Sequence, residues 1–249
     1  SDVQFGDALV SSPVIWFRNR APSVRSAPEF TVGGTVLSPR IRRQIPRDDL
    51  ASEIKWTRFP VAAAALQRQH VTLADLFSIK RGIATGANKF FMLDALAIEE
   101  LRIPSQFLRP ILPGPRFVPE DVVRADQGGL PLLDQRMWLF DCRVRLAELE
   151  RTDPNVAAYV RLGESQGVNL RYLASRRDPW YAQEDRDPAP ILCTYMGRPS
   201  EGSSPFRVIL NHSDAVATNV YLMLYPKGPL RASMATSSAR SEAVWNILR

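Results

Sequence analysis

Twenty prolines in 249 residues, scattered singly along the chain, constrain this sequence more than any other feature. Each fixes φ and removes a backbone donor, so none fits easily inside a helix or a central strand. The spacing predicts many short elements joined by turns and argues against long helices. Apolar residues at 45% and charged residues at 23% lie near the globular average, which disfavours disorder throughout, collagen and coiled coil. The length permits one large domain or two small ones with a sizeable core.

No window approaches the run of about 18 uncharged apolar residues that a membrane span requires. The start Ser1-Asp2-Val3 has no basic region followed by an apolar stretch. A cytoplasmic chain with no membrane partner is expected, and the serine at position 1 suggests a fragment that extends further on the N-terminal side. Cys142 and Cys193 lack CxxC spacing, and His70 and His212 are isolated, so all four are expected to be structural and no metal is expected.

The formal charge of +6 points toward an acidic partner, although 28 of the 32 basic residues are arginine, a bias that genome composition can produce. Placement is more informative. From Val10 to Leu93 there are 13 basic and 5 acidic residues, whereas from Asp94 to Arg249 there are 19 of each. Two of the four lysines, Lys80 and Lys89, flank one glycine-containing loop.

Ala8 to Phe17 reads as one or two strands, confined to an edge or bulge by Pro13. Phe30 to Val32 reads as a further strand. Arg40, Arg42, Arg43 and Arg47 then follow in an aperiodic, proline-punctuated stretch that reads as a basic linker. Asp48 or Asp49 can cap a helix with Glu53 in its first turn, and a second helix is expected from Val61 to Gln69. Beyond Val71 the expected strands are Leu76 to Ile79, Phe90 to Leu93, Met137 to Phe140, Ile191 to Tyr195, Phe206 to Leu210 and Val220 to Tyr225. Among them Asp153-Pro154, apolar positions at helical spacing and Gly167 mark one helix. Strands that do not alternate regularly with helices indicate an α+β domain of short, mixed strands with a few helices.

In the loop Arg81-Gly-Ile-Ala-Thr-Gly-Ala-Asn-Lys89, residues Gly82, Gly86 and Asn88 can adopt positive φ, and Thr85 and Asn88 add hydroxyl and amide groups. Flanked by Lys80, Arg81 and Lys89, it offers donors to phosphates and base edges. An ordinary hairpin turn is the other reading. Arg176-Arg177-Asp178-Pro179-Trp180-Tyr181 joins two guanidinium groups to two aromatics, a combination suited to stacking on nucleic acid. Asp178-Pro-Trp-Tyr181 only approximates an Asn-Pro-Pro-aromatic motif, lacking the second proline. Asp48 or Asp49 with Glu53-Ile54-Lys55 imitates a nuclease metal set but is too closely spaced, and reads as a solvated helix face. Asn211-His-Ser213 with Thr218-Asn219 forms a polar connection between strands, either a plain loop or a second reading loop.

Four segments taken in order carry a resemblance: Phe5 to Arg18, Arg81 to Phe91, Leu108-Arg-Pro-Ile-Leu-Pro-Gly-Pro-Arg116, and Arg177-Asp-Pro-Trp-Tyr181. Together they resemble the C-terminal part of TaqI-like adenine-specific DNA methyltransferases, including the type IIG restriction-modification enzymes. The resemblance implies that residues 1–20 are the last strands of a truncated α/β catalytic domain, 21–70 a basic linker with helices, and 71–249 the target recognition domain. It implies double-stranded DNA as partner, together with the N-terminal catalytic domain of the same polypeptide. S-adenosylmethionine would belong to that parent enzyme, with no cofactor, metal or catalytic residue in this chain. The residues expected at DNA are Lys80, Arg81, Thr85, Gly86, Asn88, Lys89, Arg116, Arg176, Arg177, Trp180, Tyr181 and Asn219. On the fragment reading, the strand ending at Phe17 would leave an apolar face uncovered near Val14 and Trp16. A non-catalytic protein-interaction or structural module is the alternative.

Overall fold

A computed structural model describes residues 15–17, 19, 21, 23, 27–35, 37–51, 56, 59, 71–194 and 206–249. The chain divides into two compact units, Ser1–His70 and Val71–Arg249. Among the described residues it is mixed α and β, with three small sheets and eight helices, the longest of 12 residues. The brevity of the elements is what the proline distribution imposes.

In the first unit, β1 (Glu29–Gly34) and β2 (Pro39–Gln44) form an antiparallel hairpin, followed by α1 (Arg47–Ala51). The basic stretch expected as a linker is therefore a strand. Gly33 and Gly34 supply φ of +67° and +72°, and a Cβ on Gly34 would stand 2.4 Å from the Ser38 carbonyl oxygen. This glycine pair turns the chain back and lets β2 pair. Phe30 packs against Phe59 and Trp56, at centroid distances of 5.5 and 6.5 Å, and the Trp56 indole donates to the Leu50 carbonyl at 3.0 Å. Arg40, Arg42 and Arg43 are exposed along β2. Most of the expected strand at 8–17 lies outside the described residues; Ile15, Trp16 and Phe17 are exposed and belong to no strand. Glu53 and the helix expected at 61–69 also lie outside them.

In the second unit, α2 (Leu73–Leu76) leads into β3 (Phe77–Arg81), and α3 (Asn88–Phe91) runs directly into β4 (Met92–Leu93) and α4 (Ala95–Leu101). Then come β5 (Leu108–Leu112), β6 (Val122–Val123), β7 (Met137–Phe140), α5 (Leu146–Thr152) and α6 (Pro154–Ser165). Strands β8 (Ile191–Thr194), β9 (Val208–Asn211), β10 (Val216–Ala217) and β11 (Tyr221–Pro226) follow, then α7 (Gly228–Thr236) and α8 (Ser238–Leu248). One sheet has the order β10-β5-β7-β4 and the other β3-β11-β8-β9-β6.

The five-stranded sheet is covered on both faces, and strict alternation divides its side chains. Leu192, Ile209, Tyr221 and Met223 enter the main core with the four-stranded sheet, α4 and α6. Phe77, Ile191, Leu210 and Leu224 form a second core with Met234 and Trp245 of α7 and α8. A period of two with both sets buried is what sheets covered on both faces require.

The helix at Asp153-Pro154 is present, and Gly167 follows it at φ +68°. Phe90–Leu93 differs from expectation, being half helix and half strand, because a four-residue apolar run has no periodicity to decide between them. Strand β5 escapes the sequence pattern because Pro110 interrupts it; β10 pairs only with Ile111 and Leu112, so the missing donor costs no ladder bond there. The C-terminal helices were marked by Pro229 in the first turn of α7 and by Ser237, whose hydroxyl accepts from the Arg240 N–H.

Cys142 is fully buried, and burial pushes its thiol above the ordinary range. Since the thiolate is the nucleophile, Cys142 is expected to resist iodoacetamide at neutral pH in the folded chain and to react at once in denaturant. Mass spectrometry of the labelled peptides reads this directly, and rapid native labelling would contradict the packing.

Candidate nucleic-acid interface

The loop between β3 and α3 is not a hairpin turn. It carries the chain from the five-stranded sheet into the four-stranded sheet, and Thr218–Asn219 between β10 and β11 makes the reverse passage beside it. The two crossings are bonded together: Ile83 donates to the Ala217 carbonyl at 2.8 Å and Asn219 donates to the Ile83 carbonyl at 3.0 Å. Gly82 is needed for this contact, since a Cβ there would lie 2.2 Å from the Thr218 carbonyl oxygen and 2.5 Å from that of Ala217. Of the three residues able to adopt positive φ, only Gly86 does, at +79°. Asn88 instead opens a helical turn.

Three arginine and threonine side chains shape the loop. Arg177, half-buried, donates to the carbonyls of Ala84 at 2.6 Å and Thr85 at 3.1 Å and to Gln183 Oε1 at 3.2 Å. Burial lowers its pKa from the ordinary value, with Glu184 and Asp141 opposing; an arginine still keeps its charge. Arg171 reaches the Gly86 carbonyl at 3.5 Å. The Thr85 hydroxyl, 1% exposed, accepts from the Ala87 N–H at 3.1 Å and donates to Asn88 Oδ1 at 2.5 Å.

The result is a concavity of about 600 Å³ lined by Ala84, Thr85, Gly86, Ala87, Asn88 and Lys89 from the loop, with Arg171, Leu173 and Asn219. Gly86, Asn88 and Lys89 are exposed on it. Lys80 and Arg81 are exposed on β3 just before it, and the Lys80 ammonium lies 5.6 Å from the Tyr225 ring centroid. Arg116 is also exposed, its guanidinium 4.5 Å from the Phe117 ring centroid, in the turn that follows β5. That turn lies at the same end as Thr218–Asn219, because β5 and β10 are parallel neighbours.

The cluster from Arg176 to Tyr181 requires correction. Tyr181 is 2% exposed, its hydroxyl donates to the Val144 carbonyl at 2.6 Å, and burial pushes its pKa up to about 12. Trp180 packs between Phe90 and Phe91, at 5.6 and 6.1 Å, and donates to Glu164 at 3.4 Å. These rings face the core and present no stacking platform. Asp178 accepts from both terminal guanidinium nitrogens of Arg145, at 2.7 and 2.8 Å, so the approximate Asn-Pro-Pro-aromatic motif is a structural corner. The exposed aromatic beside the concavity is Tyr172, with the Arg176 guanidinium 4.2 Å over its ring. Arg171 and Tyr172 were missed in the sequence. Their signal was the Arg-Tyr pair four residues after Gly167, with a second arginine four residues beyond the tyrosine.

Asn211 supports the fold, its amide donating to the carbonyls of Ala189 at 3.2 Å and Ala215 at 3.1 Å. Among the described residues no group of three or more histidines, cysteines or carboxylates is placed to hold a metal ion, and no helix is long and apolar enough to cross a membrane.

Residues 57–243 match the family model described as the C-terminal domain of the type II methyltransferase M.Eco57I. The chain belongs to that family. Among relatives of this methyltransferase C-terminal domain, the type II methyltransferase M.AccI of Acinetobacter calcoaceticus is 30% identical over 152 residues, covering 60% of this chain and 27% of the relative. The type II methyltransferase M.XamI of Xanthomonas campestris pv. amaranthicola is 26% identical over 223 residues, covering 84% of this chain and 40% of the relative. The chain thus corresponds to well under half the length of the curated relatives it matches. The family match includes every residue of the concavity.

Proposed function

We propose that this chain is the sequence-recognition part of a type II restriction-modification DNA methyltransferase, of the adenine-specific, type IIG-like kind. On this reading Val71–Arg249 is the target recognition domain. It binds duplex DNA over the concavity beside the Gly82–Lys89 loop and holds the site while a catalytic domain of the same polypeptide methylates a flipped adenine. The single observation that carries the reading is the braced loop itself. It has a fixed backbone, an exposed carboxamide and glycine at the surface, and a rim of Lys89 and Arg171, with Lys80 and Arg81 exposed on the strand just before it. Cations on such a rim position the phosphates, and the carboxamide meets a base edge.

S-adenosylmethionine does not fit this concavity. Its sulfonium and ammonium are both cationic, whereas the lining sets two cations and no carboxylate against them. In the proposed division of labour this chain's residues select and hold DNA, and cofactor chemistry lies outside them.

The test is titration of fluorescent duplex DNA with the 249-residue chain over a salt series, beside calorimetry with S-adenosylmethionine. Binding that weakens linearly in log salt is expected, with a slope of about −0.9 for each phosphate contacted, and no cofactor binding at micromolar concentration. Salt-independent binding, or none, would overturn the DNA reading, and micromolar cofactor affinity would overturn the division of labour.

A further inference from the structure

The Thr85–Asn88 pair fixes which end of the Asn88 carboxamide faces solvent. Thr85 is buried, so its hydroxyl proton must find an acceptor within the protein. Its oxygen already accepts from the Ala87 N–H, and the acceptor within reach of its proton is Asn88 Oδ1 at 2.5 Å. Turning the amide over would place an NH2 against a hydroxyl that then has nowhere to donate. The carbonyl end is therefore held inward. The NH2 end is directed away from Thr85 on an exposed residue lining the concavity, and has no hydrogen-bond partner among the described residues. Arg177 and Arg171 hold the carbonyls of Ala84, Thr85 and Gly86, so the backbone beneath this amide is fixed as well.

An asparagine free at both ends suits adenine, accepting from N6 and donating to N7. With its oxygen engaged, Asn88 offers donors alone. Taking the DNA-reading function as its premise, we infer that Asn88 is a specificity residue that donates to a keto-bearing base in the major groove, to O6 and N7 of guanine or O4 of thymine, since adenine offers the NH2 only N7 beside an amino group that opposes it and cytosine offers no acceptor. Thr85 is its positioning residue. Lys89, its neighbour in sequence, supplies charge to the adjacent phosphates without reading sequence.

Selection from a randomised duplex pool with the 249-residue chain, followed by sequencing of the bound fraction, tests this. The native chain enriches guanine or thymine at one position. Asn88→Asp keeps the Thr85 bond but presents an acceptor, so preference at that position inverts to the amino-bearing bases, adenine or cytosine. Thr85→Val frees the amide to rotate and relaxes discrimination there by about tenfold, the worth of one base-edge hydrogen bond. Thr85→Ser restores the hydroxyl and the preference. A merely structural threonine would change melting temperature without changing the consensus. If Thr85→Val fails to fold, Asn88→Asp still decides the matter because Asn88 is exposed. A consensus unchanged in Asn88→Asp, or weakening that is equal for all sequences, overturns the keto-reading role while leaving DNA recognition intact. A native chain that enriches no sequence defeats the recognition reading, and this inference with it.

Discussion

Phe90→Ala is expected to lower the unfolding free energy of the Val71–Arg249 unit by about 3 to 5 kcal/mol, the usual cost of emptying a buried phenylalanine site. The ring has little freedom to be replaced by relaxation. It stacks on Tyr159 at 4.5 Å with 3° between planes, and meets Phe91 and Phe140 edge-on at 4.9 and 6.4 Å. The Tyr159 hydroxyl donates to the Phe90 carbonyl, so one residue holds both the ring and the backbone of Phe90. Calorimetry should show the transition falling by about 6 to 20 °C. Gly163 on α6 provides the internal check. A Cβ there would lie 2.5 Å from the Trp180 ring and 2.6 Å from the Phe90 ring. Gly163→Ala gains about 1 kcal/mol of helix propensity, which the overpacking cost of about 1 to 3 kcal/mol exceeds. In the Phe90→Ala background the contact with Phe90 is gone and Trp180, which packs on that ring at 5.6 Å, can yield into the vacated space, so the two costs should fail to add, by about 1 kcal/mol. Additive costs would mean that Phe90 and Gly163 do not share the packing described.

The same aromatic cluster explains what could and could not be read from sequence. Strands β7, β8, β9 and β11 were legible because each is an apolar run bounded by turn residues. The basic flanks of the loop were legible, because Lys80, Arg81 and Lys89 surround two glycines, but the burial of residues 82–85 and of Ala87 was not. What one residue order cannot reveal is which side chains turn inward. Arg177, Trp180 and Tyr181 have the composition of a stacking surface, yet their destination depends on α6, whose glycine opens a space for Trp180. Arg177 is drawn inward by carbonyls at positions 84 and 85, over ninety residues away. Arg171 and Tyr172 are exposed on the segment that follows α6, between the buried Val168 and Ala174. Pro110 misled in the same way: its position is acceptable only because β10 is short.

Replacing Lys80, Arg81 and Lys89 together with alanine is expected to reduce the salt dependence of DNA binding by about 2.7 units of slope, at about 0.9 per phosphate contact. Between 50 and 200 mM salt the native chain should then lose about 40-fold more affinity than the variant. The loss at low salt should be the same for any duplex, because point charges on phosphates carry no sequence information. A competing physical role makes the experiment decisive. Among the described residues β3 is the outermost strand of its sheet, and Lys80 and Arg81 are exposed on it. Charged side chains on an outer strand oppose pairing with another chain. That role requires Lys80 and Arg81 but not Lys89, which lies beyond the strand on the rim of the concavity. Single variants separate the two. If the charges contact phosphate, Lys89→Ala alone removes about 0.9 unit of slope without promoting self-association. If the charges only guard the strand, the triple variant self-associates in sedimentation while the slope of DNA binding stays unchanged, and the loop loses its place in the DNA interface.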